Sequence, residues 1–179
     1  MFKFSLRHLI AVVIGVPIFF LLHRFLSVQI IGDTYLTFSY VVLVFFAVVY
    51  GPFVGLSIGL IGRILVDLAP FMGFSWGWIV ASAIIGFASG FIFKTGAIEA
   101  GRFGKDEMVR FVIGSFIIQT VSWVIIAPII RILISDLSIG GALLQGVVAA
   151  SVNFVITAIV GTAGIFIFAK TRPKSDFDE

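Results

Sequence analysis

The chain has 179 residues, of which 60% are apolar and 12% charged, with no cysteine and a net charge of +3; its mean hydropathy is +1.22. A soluble domain carries about 25% charged residues, and a chain this short cannot hide so much apolar side chain from water, so the composition describes an integral membrane protein. The missing thiols exclude disulfide frameworks, zinc ribbons and thiol catalysis, and the positive charges gather at the ends of apolar runs, which favours a lipid partner over nucleic acid.

In chain order, the apolar runs predict about six transmembrane helices, an all-α bundle. The expected spans are 6–26, 36–50, 53–68, 77–93, 108–133 and 142–169, within residues 1–179 read as one membrane domain, with 170–179 as a short cytoplasmic tail. A signal peptide competes for the first run, but its apolar core exceeds the usual 7–15 residues and no small-x-small cleavage site follows. The second and third runs fall short of the roughly 20 residues needed to cross the hydrocarbon. They meet at Tyr50-Gly51-Pro52, a turn signal, so two short helices and one kinked re-entrant hairpin both fit.

Lys3, Arg7, Lys94, Arg102, Lys105, Arg110, Lys170, Arg172 and Lys174 fall on one side of this arrangement, and only Arg24, Arg63 and Arg131 lie in or near the other half. The positive-inside rule makes the first side the cytoplasm, giving both termini inside a cell membrane.

Each outer-half arginine has an aspartate nearby in sequence: Arg24 with Asp33, Arg63 with Asp67, Arg131 with Asp136. Arg63 and Asp67 share a helical face. Ionisable groups inside spans mark either self-neutralising pairs or pathways. Polar and aromatic groups converge at similar depth on different helices: Trp76 and Trp78 at the start of the fourth, Gln119, Ser122 and Trp123 on the fifth, Gln145 and Asn153 on the sixth, with Asp33, Thr34 and Tyr35 in the first outer loop. Either tryptophan alone fits an interfacial aromatic belt, and Gln119 or Asn153 alone fits an interhelical hydrogen bond. Their clustering predicts an outward-facing ligand pocket. The expected ligand contacts are Trp76, Gln119, Trp123, Gln145 and Asn153, with Asp33, Tyr35 and Arg63 lining or gating the mouth.

Small residues recur every four positions at Gly51, Gly55 and Gly59 and at Ser82, Gly86 and Gly90, the spacing that lets helix backbones approach. Ala11 and Gly15 do the same on the first helix, where the stripe packs internally or faces a partner protein. Enzyme chemistry finds little support. His8 and His23 lie about 22 Å apart along one helix and cannot share a metal. No P-loop, HExxH or GxSxG pattern is present, so no cofactor is expected and any ATP-driven work falls to other subunits.

The stretches Phe45-Phe-Ala-Val-Val-Tyr-Gly-Pro-Phe-Val-Gly, Gly59-Leu-Ile-Gly-Arg with Asp67, Trp76-Gly-Trp-Ile-Val-Ala-Ser-Ala-Ile-Ile-Gly, Gly101-Arg-Phe-Gly-Lys, Ile126-Ala-Pro and Ala169-Lys-Thr-Arg resemble the S components of energy-coupling-factor (ECF) vitamin transporters, and most of all the riboflavin-type subfamily. The resemblance runs from the first helix to Arg172. It implies a six-helix subunit that binds one micronutrient on its outer side and works with a transmembrane coupling protein and two ATP-binding-cassette ATPases. The implied cargo is riboflavin or a related flavin; other S components take cobalamin or thiamine precursors. It also implies a coupling-protein contact through an Ala-x-x-x-Ala stripe, here Ala11-x-x-x-Gly15. A self-sufficient small carrier or channel is the alternative outside this family.

Overall fold

The computed structural model describes residues 5–69, 74–93, 96–134 and 137–172. Among these residues six helices make up the bundle: α1 (Leu6–Phe25), α2 (Ser39–Tyr50), α3 (Pro52–Leu68), α4 (Trp76–Ser89), α5 (Lys105–Ile134) and α6 (Ile139–Lys170). Three of them, α1, α5 and α6, are long and apolar enough to cross a membrane, whereas α2 and α4 are shorter apolar helices. Large apolar side chains such as Leu9, Val13, Ile113, Ile117, Val155 and Ile159 are exposed along the long helices, as expected of surfaces facing lipid rather than water.

Between α1 and α2 the expected outer loop is instead a β-hairpin, β1 (Ser27–Ile31) and β2 (Thr34–Thr37), the one departure from an all-helical chain among the described residues. The strands pair antiparallel from Ser27↔Thr37 to Ile31↔Thr34, with an irregularity between Gln29 and Ile31. Gly32 takes a φ of 54° at the turn, which a glycine adopts without penalty.

Tyr50-Gly51-Pro52 breaks the chain into two helices. Gly51 has a φ of 99°, and Pro52 follows as the first residue of α3, where its missing N–H is not needed. Helix α3 sits at the centre, packed most heavily against α4 and α1. The glycine stripes explain how: a Cβ added at Gly55 would overlap the Gly86 carbonyl, one at Gly59 the Ser82 carbonyl, and one at Gly90 the Pro52 backbone. Backbone therefore lies directly on backbone, and neither side can yield. Gly55→Val is expected to lower stability by about 3 kcal/mol, the upper end for overpacking a core, seen as a drop in the thermal midpoint of the detergent-purified protein.

Helix α5 is not uniform. Val121–Ile126 is a π-helical segment just before Pro128. A proline inside a helix lacks the N–H for the ladder and its ring crowds the carbonyl four residues back, and a local widening relieves that conflict. A second π segment, Thr157–Gly161, interrupts α6.

Candidate functional site

The hairpin and the six helices beneath it close around one small cavity. It is lined by His23 of α1, Asp33, Thr34 and Tyr35 of the hairpin, Tyr40 of α2, Arg63 of α3, Trp78 of α4, Trp123 of α5, and Ala149 and Asn153 of α6. Its free space is about 10 Å³, room for about one water. A ring-sized ligand can enter only if part of this wall moves.

Three aromatic side chains form one corner. The Trp123 ring stands edge-on to Tyr40 at 5.0 Å and to Trp78 at 5.1 Å. Tyr40 is fixed by a 3.0 Å hydrogen bond between its hydroxyl and Ser82 Oγ. Opposite lies a buried polar chain. Arg63 Nη2 pairs with Asp67 Oδ1 at 2.8 Å, and Asp67 Oδ2 accepts from the Ser75 backbone N–H at 2.9 Å, just before α4. Arg63 Nη1 lies 3.3 Å from His23 Nε2. A guanidinium can only donate, so Nε2 is the acceptor and Nδ1 carries the hydrogen toward Ser39 Oγ, 3.3 Å away.

The hairpin is latched over this cavity at its tip and its base. At the tip, Asp33 accepts from Arg131 Nη2 at 2.8 and 3.0 Å and from Trp78 Nε1 at 2.8 Å. The Arg131 guanidinium lies over the Trp78 ring at 4.5 Å and donates from Nη1 to Gln145 Oε1 at 2.7 Å. At the base, Asn153 Oδ1 accepts from Thr37 N–H at 3.1 Å while its amide donates to the carbonyls of Tyr35 and Ala149. One residue of α6 thus holds β2 by its backbone.

Several polar atoms on the wall have no hydrogen-bond partner among the described residues: Thr34 Oγ1, Arg63 Nε and Trp123 Nε1. Buried donors and acceptors are nearly always satisfied in native proteins, so these atoms offer hydrogen bonds to an incoming molecule. Among the described residues no group of three or more His, Asp or Glu side chains is placed to hold a metal ion.

Of the residues expected to contact ligand, Trp123, Asn153, Asp33, Tyr35 and Arg63 line the cavity. Trp76 does not: it is 49% exposed, edge-on to Phe74, and lines a separate hollow of about 140 Å³ with Arg131 and Ile134. Gln145 stands behind the wall as a partner of Arg131 and a neighbour of Gly32. Gln119 is buried beside the cavity but not among its lining residues. His23, Tyr40 and Trp78 belong to the wall and were not among the expected contacts. His23 lies on the buried face Ala11, Gly15, Phe19, His23 of α1, a spacing of four that the sequence displays. Asp33 pairs with Arg131 rather than Arg24, which is exposed. The expected Arg131–Asp136 pair lies outside the described residues.

On the opposite face, a groove of about 460 Å³ runs between α1, α2 and the end of α6, with Ala11, Ile14, Phe46, Tyr50 and Arg172 on its walls. Ala11 is 3% exposed at its floor. Gly15 lies inside the bundle, where an added Cβ would overlap Ile58.

A family model described as "ECF-type riboflavin transporter, S component" matches residues 3–169. Among curated proteins the chain is similar to a UPF0397 protein of Staphylococcus aureus (strain Newman), 32% identical over 171 residues, covering 95% of this chain and 93% of the relative. It is equally similar to a UPF0397 protein of Lacticaseibacillus casei (strain BL23), 33% identical over 172 residues, covering 96% and 92%.

Proposed function

Because the chain belongs to the S-component family of ECF-type riboflavin transporters, we propose that it captures riboflavin or a related flavin at the outer face of a bacterial cell membrane for import by an ECF complex. The reading is carried by the cavity beneath the hairpin: an aromatic corner of Tyr40, Trp78 and Trp123 beside unpartnered donors at Arg63 Nε and Trp123 Nε1. A flat heteroaromatic ring with polar edges matches such a wall, since aromatic faces stack on it and fixed donors orient it. The ring would lie among Trp78, Trp123 and Tyr40, with Asp33, Tyr35, Arg63 and Asn153 holding its edges or the hairpin above it. Gln145 acts through Arg131, and Trp76 serves as an interfacial anchor rather than a ligand contact.

Both termini lie in the cytoplasm on this reading, supported by the nine basic residues on one side against three in or near the other half. The groove floored by Ala11 then faces inward, and we assign it to the transmembrane coupling protein. Two ATP-binding-cassette ATPases would supply the energy. Gly15 supports this surface from within by letting α1 sit close to Ile58.

The decisive experiment is purification of the full chain from a bacterial membrane, with absorbance and mass spectrometry of whatever molecule it retains, followed by a test for co-purifying coupling protein and ATPases. A retained flavin and a four-component complex are expected. A corrinoid or thiamine precursor would change the cargo within the same class. Flux through liposomes holding the chain alone would overturn the capture reading in favour of a self-sufficient carrier or channel.

A further inference from the structure

Beneath the cavity floor, the facing sides of α5 and α6 carry polar groups that no described residue partners. Two contacts set the register of these helices: Phe111 lies against Gly161, and the Trp123 backbone lies against Gly146. Between them each helix buries every fourth residue: Phe111, Ser115, Gln119 and Trp123 on α5, and Ala149, Asn153, Thr157 and Gly161 on α6. Stepping one turn at a time from Phe111 and Gly161 brings Ser115 level with Thr157 and Gln119 level with Asn153.

Gln119 is 1% exposed, and Ser115, Ser122 and Thr157 are each 0% exposed. Both amide atoms of Gln119 and all three hydroxyls lack a hydrogen-bond partner among the described residues, as does Trp123 Nε1 at the top of the column. Asn153 is already committed to Thr37, Tyr35 and Ala149. The lower end is sealed by Phe111, 0% exposed, which stands edge-on to Phe103, itself edge-on to Phe93. A column of unpaired amide and hydroxyl groups in the apolar middle of a membrane is costly unless something occupies it. The column meets the cavity at Trp123 and Asn153 and stops at an aromatic plug.

We propose that this column is a second part of the ligand site, which receives a neutral, hydroxyl-bearing chain while the ring of the same ligand stays in the cavity above. This rests on the capture reading and adds a selectivity to it. Only uncharged groups line the column, so a phosphate or carboxylate would shed its hydration with no cation to replace it. Unphosphorylated cargo is accepted and its phosphorylated form refused.

Three probes test this on the full-length chain: riboflavin, lumiflavin (the same ring bearing a methyl group in place of the hydroxylated chain) and flavin mononucleotide. Riboflavin is expected to bind at least about tenfold more tightly than either. Gln119→Leu, and separately Ser115→Ala with Thr157→Val, should remove about tenfold from riboflavin affinity and leave lumiflavin unchanged. Gln119→Leu should also raise the thermal midpoint of the ligand-free protein, because a buried unpaired amide is gone. Equal losses for riboflavin and lumiflavin, or a lowered midpoint, would identify Gln119 as an interhelical bond and overturn the proposal. Should the unaltered chain bind none of the three, the flavin assignment fails by itself. The column is then judged on the molecule retained through purification: lost retention with a raised midpoint in Gln119→Leu supports it, and unchanged retention sinks it.

Discussion

Asp33→Ala is expected to speed the release of bound cargo by about 10- to 100-fold, the effect of breaking a partly buried charged pair, while changing the stability of the bundle little. Asp33 closes the tip of the hairpin through two hydrogen bonds from Arg131 and one from Trp78. Its loss removes the hairpin's carboxylate from an Arg131 side chain that is 10% exposed and still bonded to Gln145, and Asp33 itself is 34% exposed. Solvent therefore screens part of the interaction, and the effect is smaller than for a fully enclosed pair. With the tip freed, the Asn153 clamp at Thr37 and Tyr35 still holds the base of the hairpin. Tryptophan fluorescence can follow release, because Trp78 and Trp123 line the cavity whereas Trp76 lies 49% exposed outside it. Trp76→Phe supplies a background in which the signal comes from the cavity alone and affinity is unchanged. Release at the unaltered rate in Asp33→Ala would show that the tip is not the latch.

Asp67→Ala is expected to destabilise the protein by about 3–5 kcal/mol, the cost of leaving a buried charge without its partner. The side chains of Arg63 and Asp67 are 5% and 0% exposed and meet at 2.8 Å. Asp67 also caps the Ser75 N–H at the approach to α4, so its removal unsettles two helices together. The double variant Arg63→Leu with Asp67→Leu should recover most of the stability, because replacing a buried pair by apolar side chains of similar volume is often neutral or better. It should still bind cargo about tenfold more weakly, since Arg63 lines the cavity with an unpartnered Nε. Thermal unfolding and ligand titration on the three variants separate the two roles. A double variant as unstable as Asp67→Ala would argue that the pair is irreplaceable for folding.

Much of this arrangement is legible in the sequence, and the gaps have physical causes. The stripes Gly51-Gly55-Gly59 and Ser82-Gly86-Gly90 announce a close helix contact because small residues at one helical spacing share a face. The backbones of α3 and α4 meet along them. Depth along each apolar run was enough to bring Asp33, Tyr35, Arg63, Trp123 and Asn153 to one cavity. Depth does not give rotation. Trp76 and Trp78 are two residues apart, about 200° around a helix, so one faces in and the other out. Long-range pairing was hidden as well: Arg131 finds Asp33 across 98 positions, while sequence proximity pointed to Arg24. The hairpin had a signal, Gly32-Asp33 between two runs rich in Val, Ile, Thr and Tyr, but a loop between two transmembrane helices does not ordinarily invite a search for strands.

Helix length also decides how the subunit meets the surrounding bilayer. At 12 and 14 residues, α2 and α4 extend only about 18 and 21 Å, against a hydrocarbon layer of about 30 Å. Neither presents a face to lipid: every residue of α2 is at least partly buried, and Trp76 alone is exposed on α4, so the mismatch is met by the protein around them and not by the surrounding bilayer. The thickness of membrane that suits the subunit is thus set by the long helices α1, α5 and α6, whose apolar side chains are exposed, and not by the short helices they enclose.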